Sequence, residues 1–244
     1  MGGRAPFAVV VFDLDGVLWD GEPIYHEAFN IVLAPYGCLV TVEDYSHIIG
    51  HSVESAWDWV LRHFQLREPP ERFHREYDEV VLRLLARPAD PLPGVRDLLA
   101  ELRRRRLPVG VASASLRQWV DATLRGLGLD GAFDAVVSAS EVQHAKPAPD
   151  LYLTAARQLG VEPERCLAFE DTQTGITAAK AAGMFAVQVR AASTALPPLP
   201  QADLVIEKYS EFDLSLLASK RGETVRPELV EGLREASEDR GIEA

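Results

Sequence analysis

The chain is poor in cysteine and has no long apolar run. Its 244 residues include two cysteines, Cys38 and Cys166, which lie far apart and match no CxxC pattern. No secretory segment is recognisable from Met1 to Phe7, so we expect reduced thiols and a cytoplasmic protein. No apolar run approaches the roughly 20 residues that span a bilayer, so a membrane protein is not expected.

Positive charge is also scarce. The formal net charge is -12, which argues against nonspecific binding to nucleic acid or to a membrane surface. Binding of a small anionic substrate is not excluded, because it depends on the electrostatic potential at the binding site rather than on the net charge. The content of 47% hydrophobic and 25% charged residues is typical of a globular protein, and the length allows one large domain or two modest ones. We expect a monomer or a small homo-oligomer.

One stretch, Val9–Leu18, combines an apolar β-branched run with two acids and a glycine. The run predicts a strand buried on both faces, as in the middle of a parallel sheet. Asp13 and Asp15 follow it, two residues apart, so their side chains point the same way if the backbone stays extended. Ligands of such sheets bind beyond the carboxyl ends of the strands. The alternative is a polar turn without a function.

The segment 19–90 contains no strand-like run. Apolar residues recur there at spacings of three and four, which predicts helices. The predicted helices are Pro23–Ala34, Val53–Phe64 and Pro70–Ala86, with a shorter one over 43–49. We therefore predict an all-helical domain inserted after the first strand.

Strands and helices alternate from Asp90 onward. The predicted strands are Pro108–Ala112, Ala135–Ser138, Arg165–Phe169, Phe185–Val189 and Leu204–Ile206. The predicted helices are Val95–Arg105, Leu116–Gly126, Asp150–Leu159, Thr174–Ala182 and Ser210–Leu217. This order predicts an α/β fold, with a Rossmann-like parallel sheet core flanked by helices and built from residues 1–18 and 91–220. The charge-rich residues 221–244 predict a tail that is a frayed helix or disordered.

Polar residues also occur at the end of a later strand and in a later loop. Ser113, Ala114 and Ser115 offer a hydroxyl and backbone amides where a helix begins, which suits a phosphate; the alternative is a helix capped by Ser115. Lys146 is followed by Pro147 and Pro149, which restrict the backbone, so its ammonium could stabilise a phosphate; the alternative is a solvated lysine. Asp150 is expected to cap the helix that follows.

Glu170 and Asp171 end the strand after that loop. Asp171 could complete the oxygen shell of a Mg²⁺ ion that Asp13 and a backbone carbonyl begin, because Mg²⁺ prefers carboxylates, waters and substrate phosphate. The alternative is that Asp171 caps the next helix.

Taken together, these segments resemble the haloacid dehalogenase-like hydrolases, most closely the phosphoglycolate phosphatase and β-phosphoglucomutase branch, which carries a helical cap domain. The resemblance rests on Phe12–Val17, Ala112–Ser115, Lys146–Asp150 and Phe169–Asp171, with Gly175. It covers roughly residues 7–189. Residues 19–90 would be the cap, and the remaining strands and helices the core.

The resemblance implies a reaction at Asp13 and Asp15. Asp13 would attack phosphorus and form an aspartyl-phosphate. Asp15 would protonate the leaving alcohol and then deprotonate the hydrolytic water. Mg²⁺ would be held by the Asp13 carboxylate, the Asp15 carbonyl and Asp171. Glu170 would assist from behind these ligands or through a water molecule.

The remaining roles concern the substrate. Ser113 and the amides near Ala114 would hold phosphoryl oxygens, and Lys146 would offset the charge of Asp13 and of the transferring group. Glu22 and His51 are candidate substrate contacts from the cap. The expected activity is that of a Mg²⁺-dependent phosphatase acting on a small phosphorylated metabolite, such as phosphoglycolate or a sugar phosphate.

Other activities of this family fit less well. Its dehalogenases lack the second acid that Asp15 supplies, and its phosphonate-cleaving enzymes need a cap lysine, which residues 19–90 do not contain. A β-phosphoglucomutase-like mutase is the main alternative. It would grip a second phosphate with a cap arginine near 50–52, where this chain has none, although Arg72 or Arg75 could serve. A catalytically silent binding module is the remote alternative.

Overall fold

The computed structural model describes residues 7–50, 52–192 and 196–218. Six parallel strands form one sheet in the order β3-β2-β1-β4-β5-β6. They are β1 Val9–Phe12, β2 Val109–Ser113, β3 Ala135–Ser138, β4 Cys166–Glu170, β5 Phe185–Val189 and β6 Leu204–Ile206. The predicted α/β class with a Rossmann-like parallel sheet is confirmed.

The helices occupy nearly the predicted positions. They are α1 Glu22–Leu33, α2 Val42–Ser46, α3 Val53–His63, α4 Pro70–Leu85, α5 Val95–Arg105, α6 Arg117–Gly126, α7 Asp150–Leu159 and α8 Gln173–Ala181. Within the part of the chain that the structure describes, no helix has both the length and the apolar character needed to cross a bilayer.

The central strand β1 is apolar because neighbouring strands and packing on both faces exclude water from it. All four of its residues are buried, and Val11 pairs with Gly110 of β2 and with Ala168 of β4. The ring of Phe12 stacks on that of Phe169, with 5.1 Å between centroids. Aromatic pairs of this kind stabilise by about 0.5–1.5 kcal/mol beyond the area that they bury. The strand that carries the paired acids is therefore firmly anchored.

The chain divides into two compact units. One takes in the described residues up to Asp20, from Asp90 to Val120 and from Leu129 onward; the other takes in Gly21–Ala89 and Asp121–Gly128. The first unit contains the sheet. The second contains α1 to α4 and the second half of α6, which we had expected to belong wholly to the core.

Aromatic rings form the interior of the helical unit. Phe29 of α1 contacts Trp57 of α3 at 4.8 Å and Tyr77 of α4 at 4.5 Å between ring centroids. Phe73 stacks on Trp57 at 5.1 Å. The apolar stripe of α4 is buried along its whole length, so these aromatic residues are core residues of the unit.

The end of the fold departs from prediction. The helix predicted over Ser210–Leu217 is wrong: two short 3₁₀ turns, Tyr209–Glu211 and Leu214–Leu216, occupy this region. The carboxylate of Asp213 accepts a hydrogen bond from Ser215 N at 2.8 Å, and such a local bond competes with helix continuation. The predicted tail, 221–244, lies outside the described residues.

Candidate active site

Three neighbouring strands bring polar residues to one edge of the sheet. Asp13 directly follows β1, Ser113 ends β2 and Glu170 ends β4. The strands are parallel and adjacent, so their carboxyl ends lie side by side. The amide of Asp13 donates to Phe169 O at 2.9 Å, which fixes the start of the acidic loop against β4.

Lys146 lies between two buried carboxylates. Its Nζ is 2.5 Å from Asp13 Oδ1 and 2.5 Å from Glu170 Oε1, and its side chain is 6% exposed. Burial alone would lower the pKa of this lysine, but Asp13 and Glu170 outweigh that effect and raise it. The ammonium therefore stays charged, whereas a solvated loop lysine was the alternative considered from the sequence.

Glu170 is completely buried, and both its oxygens are engaged. Oε1 accepts a hydrogen bond from the Tyr152 hydroxyl at 2.6 Å, in addition to the contact with Lys146. Oε2 accepts from Asp171 N at 3.2 Å and from Thr172 Oγ1 at 3.3 Å. This set of donors suits a residue that anchors the lysine.

Tyr152 is a site residue that sequence reasoning missed. Its position on the buried face of α7 predicts a core residue, and it is fully buried. Its hydroxyl could have indicated a polar role from the sequence, because a buried tyrosine usually has a hydrogen-bond partner. The identity of that partner, Glu170, depends on how α7 packs on the sheet, where it contacts β1, β2 and β3.

Asp171 carries a carboxylate oxygen that has no hydrogen-bond partner within the described ranges. Oδ1 is buried and receives no hydrogen bond from the described residues. Burial first, then the charges of Glu170 and Asp13, raises the pKa of Asp171 to about 9. A buried unsatisfied carboxylate oxygen is costly unless something compensates it, and a bound cation would do so.

Oxygen atoms of Asp13, Glu170 and Asp171 lie within 4.8 Å of one another. Burial, partly offset by Lys146, raises the pKa of Asp13 to about 7. Clustered carboxylates that repel one another are the donor set that a hard divalent cation such as Mg²⁺ prefers. The residues present therefore fit the implied metal ion.

Gly16 leaves space for this cluster. A Cβ atom at position 16 would lie 2.0 Å from Asp171 Oδ2, and the residue has φ +76°, a region that disfavours side chains. Glycine therefore allows the Asp171 carboxylate to approach the loop that carries Asp13 and Asp15.

Asp15 is held beside the loop after β2. Ser115 Oγ donates to Asp15 Oδ2 at 3.2 Å, and the Trp19 indole Nε1 donates to Asp15 Oδ1 at 3.2 Å. Ser113 is buried, and its Oγ accepts from Ser115 N at 3.1 Å. The structure thus brings Asp15 to the stretch from Ser113 through Ala114 to Ser115.

The structure decides two of the three caps considered from the sequence. At the start of α6, the amide of Arg117 donates to Ser140 Oγ at 3.2 Å. Thr172, not Asp171, caps α8 by accepting from Gly175 N at 3.1 Å. Asp150 is the first residue of α7 rather than its cap, and its Oδ2 accepts from His144 N at 3.2 Å.

The two candidate contacts in the helical unit have different outcomes. Glu22, at the start of α1, accepts a hydrogen bond from the Tyr45 hydroxyl at 2.6 Å. His51 lies outside the described residues. A substrate role for either residue stays a prediction.

Gly175 provides a test of the buried network. A Cβ atom there would lie 1.9 Å from Glu170 Cδ, so Gly175→Ala must displace a buried carboxylate that pairs with Lys146. A glycine-to-alanine change inside a helix normally stabilises by about 1 kcal/mol. Here we expect the free energy of unfolding, measured by urea denaturation, to fall by about 3 kcal/mol or more.

The matched control for this change is Thr174→Ala, at the adjacent exposed position of α8. It should leave stability within about 0.5 kcal/mol. A Gly175→Ala protein as stable as this control would show that Glu170 tolerates displacement.

The structure thus places acids, a buried lysine and a serine at the carboxyl edge of a parallel sheet. A family model described as haloacid dehalogenase-like hydrolase matches residues 7–183. The chain belongs to this family, as predicted.

Relatives with curated names include phosphatases and a mutase. The chain is 38% identical over 184 residues to fructose-1-phosphate phosphatase YqaB of Escherichia coli, covering 75% of this chain and 97% of the relative. It is 33% identical over 217 residues to the β-phosphoglucomutase of Bacillus subtilis, covering 85% and 92%. The prediction of a phosphoric monoester hydrolase of this family is confirmed.

Among solved structures, CbbY from Rhodobacter sphaeroides in complex with phosphate is similar, with a TM-score of 0.74 and 28% identity. The match covers 86% of this chain and 99% of that one. It supports the assignment of the fold.

Proposed function

We propose that this hydrolase removes the phosphoryl group from a small phosphate monoester, of the phosphoglycolate or sugar phosphate class, in a Mg²⁺-dependent reaction. The observation that carries the proposal is the position of Asp13. Its carboxylate contacts the buried ammonium of Lys146 and lies within 4.8 Å of an oxygen of Asp171, whose buried Oδ1 receives no hydrogen bond from the described residues.

Asp13 is the proposed nucleophile. A carboxylate attacks only when ionised, and the contact with Lys146 favours the ionised form against the cost of burial. Attack on phosphorus forms an aspartyl-phosphate and releases the alcohol. Lys146 then remains beside the phosphoryl group and offsets part of its negative charge.

Asp15 is the proposed general acid and base. It would donate a proton to the alcohol oxygen and then take one from the water that hydrolyses the aspartyl-phosphate. Ser113 and the backbone near Ala114, which lie close to Asp15, would bind phosphoryl oxygens. Glu170 holds Lys146 in place through the contact of 2.5 Å.

Mg²⁺ would be held by the carboxylates of Asp13 and Asp171 and by the backbone carbonyl of Asp15. When bound, it would supply positive charge that offsets the charge of the phosphoryl group.

Sugar phosphates are the favoured substrates because two relatives are named for them, the fructose-1-phosphate phosphatase and the β-phosphoglucomutase. Selection of the substrate by the helical unit, through Glu22 or His51, is part of the proposal. A cytoplasmic location and a monomer or small homo-oligomer stay predictions.

The test is release of inorganic phosphate from a panel of small phosphate monoesters, with Mg²⁺ and with EDTA. The panel includes phosphoglycolate, fructose 1-phosphate and β-glucose 1-phosphate with its bisphosphate activator. Metal-dependent release from one or a few esters is the expected result.

Two other outcomes would contradict the proposal. Conversion of β-glucose 1-phosphate to glucose 6-phosphate with little release of phosphate would identify a mutase, the second candidate, which the similarity to the Bacillus subtilis enzyme favours. No turnover across the panel, despite binding of Mg²⁺, would indicate a silent binding module.

A further inference from the structure

Trp19 is a large aromatic residue that lies close to Asp15. It follows the acidic loop and is 4% exposed. Its carbonyl accepts a hydrogen bond from Gly16 N at 2.8 Å, and Leu18 N donates to Leu14 O at 2.9 Å. These bonds close a tight turn that holds the indole near Asp15.

The indole makes a directed contact with Asp15. Its Nε1 lies 3.2 Å from Oδ1, while Ser115 Oγ lies 3.2 Å from Oδ2. Each carboxylate oxygen therefore has its own donor, and together the two donors restrain both torsions of the short side chain. Ser115 is itself restrained, because its amide donates to Ser113 Oγ at 3.1 Å.

The two donors differ in chemistry. An indole N–H can only donate, whereas a hydroxyl can rotate and accept. Oδ1 must therefore remain an acceptor while Trp19 contacts it. Oδ2 can carry a proton, since the Ser115 hydroxyl can turn to accept from it.

We propose that Trp19 is a positioning residue: its indole N–H fixes Oδ1 of Asp15 and so makes Oδ2 the oxygen that transfers the proton. The inference rests on the proposed function of Asp15. In the first step Asp13 forms a bond to phosphorus, the bond from phosphorus to the alcohol oxygen breaks, and that oxygen takes the bonding electrons and the proton from Oδ2. In the second step a water oxygen bonds to phosphorus, its proton passes to Oδ2, and the bond from Asp13 to phosphorus breaks.

The test compares two leaving groups. The value of kcat/KM covers the steps through departure of the first leaving group. Fructose 1-phosphate releases an alkoxide that needs a proton, whereas p-nitrophenyl phosphate releases a stabilised phenolate that does not. A defect in proton donation therefore lowers kcat/KM for the first ester selectively, and a general structural defect lowers both alike.

Trp19→Phe removes the N–H and keeps an aromatic ring. We expect kcat/KM for fructose 1-phosphate, or for the sugar phosphate that the panel selects, to fall about 10- to 100-fold. For p-nitrophenyl phosphate we expect a change of less than about 3-fold, because that step needs no general acid. Ser115→Ala, which removes the donor to Oδ2, should show the same selectivity.

Trp57→Phe is the matched control. Trp57 is fully buried in the helical unit, and its Nε1 has no hydrogen-bond partner among the described residues. The substitution removes a buried indole without removing a hydrogen bond, so any loss should be equal for the two esters.

Equal losses for both esters in Trp19→Phe would overturn the inference. If that variant fails to fold, 3-benzothienylalanine at position 19 keeps the bicyclic shape and replaces the N–H by sulfur, and the same selectivity is required of it. A wild-type protein without metal-dependent phosphatase activity would instead refute the proposed function, so the two failures are distinguishable.

Discussion

Asp13→Asn is expected to abolish turnover, by at least about 10⁴-fold in kcat, while the protein remains folded. The amide is nearly isosteric with the carboxylate, but it cannot attack phosphorus to form the aspartyl-phosphate. Lys146 keeps its contact with Glu170, 2.5 Å away, so its charge does not become unpaired. Phosphate release with fructose 1-phosphate and circular dichroism on the same preparation provide the measurements.

Asp130→Asn is the matched control, because Asp130 is exposed and precedes the amino end of β3, whereas the site lies at the carboxyl ends of the strands. It should retain wild-type turnover. Turnover that persists in Asp13→Asn after repeated purification would refute the assignment of Asp13 as the nucleophile.

Asp171→Asn is expected to remove activation by Mg²⁺. The substitution replaces a charged ligand by a neutral amide. Asp171 Oδ1 is the one oxygen of the cluster that is buried without a hydrogen-bond partner among the described residues. We expect kcat at 1 mM Mg²⁺ to fall by about 100-fold or more, as when a charged ligand is lost from a metal site. Isothermal titration calorimetry should show directly that the variant has lost Mg²⁺ binding.

The same substitution should stabilise the metal-free protein at high pH. Folding raises the pKa of Asp171 from 3.8 to about 9, so between these values the folded state binds more protons than the unfolded state. Stability of the metal-free wild type therefore falls as pH rises, by about 1.4 kcal/mol per pH unit for this residue. Asp13, whose pKa is raised from 3.8 to about 7, adds to this loss of stability between those two pH values.

In EDTA, the melting temperature of Asp171→Asn should exceed that of the wild type by several degrees at pH 8, and by much less at pH 5. Addition of Mg²⁺ should raise the melting temperature of the wild type at pH 8 and leave that of the variant unchanged. A difference between the two proteins that does not depend on pH would show that the Asp171 carboxylate carries no such penalty.

The sheet was predictable because its strands are short β-branched or apolar runs between turn residues. Ala135–Ser138, Phe185–Val189 and Leu204–Ile206 have the predicted bounds. The helix predicted over 210–217 does not form, because the side chain of Asp213 accepts a hydrogen bond from Ser215 N within it. A periodicity of apolar residues does not register such a local competitor.

The grouping of the site residues was predictable, but their partners were not. Strand order places Asp13, Ser113 and Asp171 at one edge, and the sequence shows each of them at the end of a strand. Three adjacent residues, Glu170, Asp171 and Thr172, could all cap α8 or face the site. The choice depends on the space left by glycines 16 and 175, which only the packed structure reveals.

The strand order also has a consequence for the time course of folding. Lys146 and Asp13 are separated by 133 positions along the chain, and Ser115 and Asp15 by 100. Bringing together residues so far apart in the chain costs loop-closure entropy before their contacts can form, and this cost slows folding. During synthesis the first acids emerge well before their partners, so the nascent chain holds no competent site until β4 has left the ribosome and joined β1. Recovery of activity after dilution from denaturant should therefore report completion of the whole sheet.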